Sequence, residues 1–140
     1  MKISTWILTA LFRCLRVKLL NFKPKNYFTE EELACKCGCG GGWFNHEALD
    51  KFNIARYIAN IPFDPSSAIR CFAYNKTVKG VKDSTHMYGV AMDLTVTNST
   101  DRFKIIFALL LAGFTRIGIA KTFVHADNSD KKSSGVIWLY

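Results

Sequence analysis

Apolar and polar residues alternate with two different periods along the chain, and the change of period marks its elements. Thr29 followed by Glu30, Glu31 and Glu32 is an N-cap with acids in the first turn, so a short helix starts there and the glycines at 38 and 40–42 end it. Asn45 caps a longer helix over 46–59, where Leu49, Phe52, Ala55, Ile58 and Ala59 fall near one face. Ile61-Pro62 and Asp64-Pro65 close it. Ser67 to Cys71 reads as a short strand, and residues 74–83 as a loop with a helical turn. Val90 to Val96 alternates and is rich in β-branched residues, which predicts a strand. Thr100-Asp101 opens a helix through Leu111, stopped by Gly113. Three short strands follow, near 115–120, 122–127 and 135–140, with Asn128 to Gly135 as a polar turn. Helices before and between short, mostly antiparallel strands make the expected class α+β.

The length suits one domain, and 49% hydrophobic residues suffice for a core. The formal net charge of +8 suggests an anionic partner, but its distribution removes most of that suggestion. Lys2, Arg13, Arg16, Lys18, Lys23 and Lys25 lie in residues 1–25 with no acid among them, which leaves the remaining 115 residues at only +2. A nucleic-acid-binding body would interleave basic and aromatic residues over a far more positive surface, so no nucleic-acid partner is expected. The chain divides into a basic extension, residues 1–25, and a body, residues 26–140. The apolar run Ile7 to Phe12 is too short to span a bilayer, and no small-x-small cleavage site follows it. The extension reads as a basic amphipathic helix touching a membrane surface, as a helix packed on the domain or as a poorly ordered extension.

Five cysteines are unevenly spread. Cys35, Cys37 and Cys39 crowd into CKCGCG, while Cys14 and Cys71 stand apart. With Cys71 the cluster offers four ligands for a structural zinc, although such sites more often use C-x2-C pairs. A disulfide to Cys71 is an equal account in an oxidising compartment, and free thiols are a third.

Only three histidines occur: His46, His86 and His125. His86 precedes Asp93 by seven residues in STHMYGVAMD, with Gly89 and Ala91 between them. His125 and Asp127 share a face of the strand expected over 122–127, because side chains alternate with period two. If the loop bearing His86 meets the two strands, His86, Asp93 and His125 supply two imidazoles and a carboxylate, a zinc set with one position left for water. Asp127 is then a spare carboxylate beside the metal, placed to take a proton from that water as general base. The bland alternative is four ordinary surface or core residues, since no self-sufficient motif such as H-E-x-x-H is present.

The same segments resemble the M15 peptidases, the zinc D-Ala-D-Ala carboxypeptidase family, and in particular its short bacterial and phage branch. S-x-H-x-x-G-x-A-x-D is matched at every fixed position from Ser84 to Asp93, and F-[VI]-H-x-D from Phe123 to Asp127. CKCGCG, Arg70-Cys71 with Asn75, Gly113-Phe114 and Trp138 also resemble this branch, over roughly residues 27–140. The resemblance implies a Hedgehog/D-peptidase-like α+β fold whose small antiparallel sheet holds the metal. It implies His86, Asp93 and His125 as ligands of one catalytic zinc, Arg70 as a bidentate clamp on a peptide carboxylate or carbonyl, and Ser84 near the substrate or supporting its loop. A structural ion pair is the competing role for Arg70. The implied activity is hydrolysis of an amide in peptidoglycan stem peptides or cross-links, by a D,D-carboxypeptidase or endopeptidase acting as a monomer on the cell wall, in the periplasm or envelope, including as a phage lysis enzyme. A zinc-bearing binding module without catalysis is the alternative. Two departures stand out. Thr122 occupies the place, three residues before the second histidine, where related branches carry their catalytic acid. Ala68 and Lys79 replace glycines common at those positions.

Overall fold

The computed structural model describes residues 25–140. Most of the N-terminal extension, and with it the expected amphipathic helix, lies outside the described residues. Helix α1 spans Glu30–Leu33, and its N-cap Thr29 forms a capping box with Glu32. It ends at Ala34, earlier than the glycines suggested. Helix α2, His46–Ala59, starts as expected on Asn45, whose side chain accepts the Ala48 N–H, and ends on Asn60 in the left-handed region. Strand β1 (Pro65–Ser67), helix α3 (Phe72–Thr77) and a 3₁₀ turn over Thr85–Tyr88 come next. Strand β2 (Ala91–Thr95), helix α4 (Ser99–Leu111) and strands β3 (Arg116–Ile119), β4 (Phe123–Asp127) and β5 (Val136–Leu139) complete the order.

The five strands form one sheet in the order β1-β2-β4-β3-β5. β2 pairs antiparallel with β1 and β4, and β3 antiparallel with β4. β5 runs parallel to β3, so the sheet is mixed rather than antiparallel throughout. Both flanks of β4 are already taken by β2 and β3. The turn after β4 therefore carries the chain past β3 to the free edge, and the returning strand lies parallel to it.

Period-two alternation sorts the sheet into two faces. Met92, Leu94, Ile117, Val124 and Ala126 point into the core, where α2 and α4 cover them. Phe52 of α2 meets Phe114 there at 4.4 Å between ring centroids. Asp93, Arg116, His125 and Asp127 take the intervening positions and so share the other face. The register sets Asp93 directly opposite His125.

The expected strand over Ser67 to Cys71 is replaced by β1 two residues earlier. Beyond Ser67 the backbone finds partners outside the sheet: Ile69 N–H donates to the Leu33 carbonyl and Arg70 N–H to the His86 carbonyl. The Ala68 carbonyl accepts from the His86 ring. With its polar groups engaged this way, the segment has no need of a ladder.

Candidate metal centre

His86 arrives from the 3₁₀ turn, Asp93 from β2 and His125 from β4, and all three are buried. One ligand atom from each lies within 4.8 Å of the others. Gly89 lets the turn reach the sheet. It ends the turn at φ 62°, its carbonyl accepts the Asn45 N–H at 2.8 Å, and a Cβ there would run into the Trp43 carbonyl oxygen. Ala91, fully buried, begins the strand. The small residues between His86 and Asp93 thus allow a sharp passage from turn to strand against the backbone before α2.

The ring orientations are fixed from outside. His86 Nδ1–H donates to the Ala68 carbonyl at 2.7 Å, which leaves Nε2 facing Asp93 Oδ1 at 3.2 Å. His125 Nδ1 lies 2.7 Å from the same Oδ1, and its Nε2 is 3.1 Å from Asp127 Oδ2. Arg70 donates through Nη2 to the second oxygen of Asp93, at 2.6 Å, and through Nε to Ser67 Oγ at 2.8 Å. One Asp93 oxygen is thereby aimed at both imidazoles while the other is held by a guanidinium.

The electrostatics match this geometry. Burial pushes the Asp93 carboxyl up, but the hydrogen bonds from His125 and His86 outweigh it and hold the group well below the usual carboxylate range. Burial pushes the His86 imidazole down, against the raising effect of Asp93, and so favours its neutral form. Burial also disfavours a charged His125, but Asp127 and Asp93 on its two sides prevail and raise it. In its protonated form the ring would point one N–H at each carboxylate. A cation seated among Nε2 of His86, Nδ1 of His125 and Oδ1 of Asp93 would replace the proton on the Asp93 side and satisfy all three atoms. Two imidazole nitrogens and a carboxylate oxygen are a donor set suited to zinc.

Asp127 accepts from three directions. Arg116 Nε reaches both of its oxygens, at 2.9 and 3.1 Å, Ser129 N–H donates at 3.0 Å, and His125 completes the set. Burial pushes this carboxyl up, while His125 and the Ser129 N–H prevail and lower it. Its bond to His125 is on the far nitrogen from Asp93, the arrangement that orients a ligand histidine. Arg116, a basic residue in the short strand RIGI, drew no attention in the sequence. Its role depends on the register that sets β3 beside β4, and local pattern does not reveal that.

The centre opens into a cleft of about 430 Å³, lined among others by Arg70, Ser84, Arg116, Trp138 and Tyr140. Ser84, itself buried, leads the 3₁₀ turn, and its carbonyl accepts the Met87 N–H at 3.0 Å. Gly118 gives the aromatic wall room: a Cβ there would stand 2.7 Å from atoms of both the Trp138 and Tyr140 rings. The cleft thus brings together all six residues singled out from the sequence: Arg70, Ser84, His86, Asp93, His125 and Asp127. Lys79 adds positive charge to the lining, and Lys132 there is paired with Asp83 at 2.8 Å.

A family model described as Peptidase M15 matches residues 26–127, which include all six of these residues. No curated protein matches the chain.

Proposed function

Because the chain belongs to the M15 peptidase family, we propose that it is a zinc metallopeptidase that hydrolyses an amide bond in peptidoglycan stem peptides or cross-links, as a D,D-carboxypeptidase or an endopeptidase. The observation that carries this reading is the convergence of His86, Asp93 and His125 at one buried point of a cleft. Zinc held there would polarise the scissile carbonyl and activate water at neutral pH. The cleft suits a substrate bearing carboxylates. Its own two carboxylates are paired with Arg70 and Arg116 and Lys132 is paired with Asp83, which leaves Lys79 as the further cation of the lining.

Each side chain has a task in this reading. His86 and His125 present nitrogens fixed by Ala68 and Asp127. Arg70 aligns Asp93 and turns its remaining donor capacity to a substrate carboxylate or carbonyl. Ser84 shapes the edge of the binding cleft. Asp127 has two candidate roles, general base and orienter of His125, and its contacts with Arg116 and His125 Nε2 favour the second.

The zinc-bearing binding module is the second reading. Thr122 in the place where related branches carry their acid, together with the engagement of Asp127, favours it. Incubation of the zinc-loaded protein with defined muropeptides, followed by mass spectrometry, separates the two. New products that disappear on chelation support the peptidase. Retention of intact muropeptides without cleavage supports the module.

A further inference from the structure

A second group of metal-binding atoms lies outside this centre. Cys35, Cys37, Cys39 and Cys71 place their four sulfurs within 4.8 Å of one another. Cys35 and Cys37 sulfurs are 3.3 Å apart, and Cys37 and Cys71 sulfurs 3.6 Å. Disulfide-bonded sulfurs would stand about 2.05 Å apart. Four thiolates about a zinc ion, each at about 2.3 Å, form a tetrahedron with edges of roughly 3.8 Å. The observed spacing is on the scale of the tetrahedron.

C-x-C-x-C does not converge by default. In an extended chain the first and third cysteines would lie about 13 Å apart. Gly38 and Gly40 change this by adopting left-handed conformations, at φ 74° and 64°. A Cβ on either would meet nothing within 4 Å, so these positions favour glycine for its backbone freedom and not for space. The resulting coil brings alternate sulfurs together, and Cys71 joins them from the start of α3. Three backbone N–H groups point at the sulfurs: Cys71 to Cys35 and Tyr74 to Cys71, each at 3.3 Å, and Gly41 to Cys39 at 3.4 Å. Donors of this kind support and orient metal-bound thiolates.

We propose that Cys35, Cys37, Cys39 and Cys71 bind one Zn2+ as a closed tetrathiolate site, structural in function. Zinc enters as the dication and the displaced thiol protons go to solvent, with no change in oxidation state. Four protein ligands leave no open position for water or substrate. The site ties residues 35–39 to Cys71, whose neighbour Arg70 holds Asp93. It thereby anchors the segment that carries Arg70, although its existence does not depend on the peptidase reading.

The test uses the full chain, purified under reductant, loaded with Zn2+ or Co2+ and desalted. Two metal ions per parent chain are expected, and one in a His86→Ala/His125→Ala double variant. The cobalt form of that variant should keep an intense near-ultraviolet thiolate-to-cobalt charge-transfer band. Cys37→Ser and Cys39→Ser, both at exposed positions, should abolish the band while circular dichroism reports their folding. The parent protein provides a check that needs no variant to fold: mercurial titration of its thiols should release one zinc that chelator-resistant cysteines had held. A cobalt-loaded double variant without the thiolate band overturns the proposal. So does mass spectrometry showing disulfides among these cysteines in the zinc-loaded protein, or an iron–sulfur chromophore in their place. Two zinc ions retained by the double variant would instead sink the histidine centre and leave the cysteine site standing.

Discussion

His125 carries the pH response of the metal centre. Its pKa lies above the ordinary value of about 6.5, raised by Asp127 and Asp93 against the effect of burial. The protonated ring cannot ligate, so protons compete with metal as pH falls through this pKa. Zinc affinity at the histidine centre should therefore be fullest above the His125 pKa and fall as pH drops through it, as measured by competition with a chromophoric chelator. Asp127→Asn removes one of the two charges that raise this pKa, so the acid limb should move to lower pH. The same substitution separates the roles of Asp127. Loss of an orienting partner should weaken zinc binding about 10–100-fold, with hydrolysis restored by added zinc. Loss of a base should cut kcat by roughly 10²–10⁴-fold at saturating zinc. Arg70→Lys keeps the charge but loses the planar fork that spans Asp93 and Ser67. It should retain zinc and lower kcat/KM on carboxylate-bearing peptides by on the order of tenfold, about 1.4 kcal/mol in transition-state stabilisation. Parent-like kcat/KM would remove Arg70 from substrate recognition.

At the level of elements, Gly89 makes the most direct demand on the sequence. A side chain there must adopt a positive φ and also displace the Trp43 carbonyl. Gly89→Ala should cost about 1–3 kcal/mol in urea unfolding, with reduced zinc retention because His86 rides on the same turn. An unchanged midpoint would show that the turn and the segment before α2 move apart easily. What could be read in advance follows the same logic of local constraint. The caps at Thr29 and Asn45 and the alternation through β2 and β4 act within a few residues, and sequence pattern showed them. The last of these put His125 and Asp127 on one face. The strand expected at Ser67 to Cys71 failed because its backbone partners, Leu33 and His86, lie far away along the chain. The parallel pairing of β5 and the contact of Arg116 with Asp127 were hidden for the same reason: both depend on which strands become neighbours.

For the whole molecule, metal binding and stability are one equilibrium. A ligand that binds only the folded chain adds about 2.7 kcal/mol when present at 100 times its dissociation constant. Chelation should therefore lower the melting temperature, and zinc should restore it, with the histidine variants recovering only the part due to the cysteine site. The direct pairing of Asp93 with His125 has a further consequence, in time rather than energy. The two residues are 32 positions apart, so their loop must close before the imidazole and carboxylate meet. A slip of one residue between β2 and β4 would turn one of them to the opposite face and dismantle the donor set. Zinc capture at this centre would thus be a clock for correct strand registration. In refolding followed with a zinc indicator, uptake by the histidine centre should never run ahead of the step that joins β2 to β4, and chains trapped in a shifted register should remain unable to take the ion until they unzip and pair again.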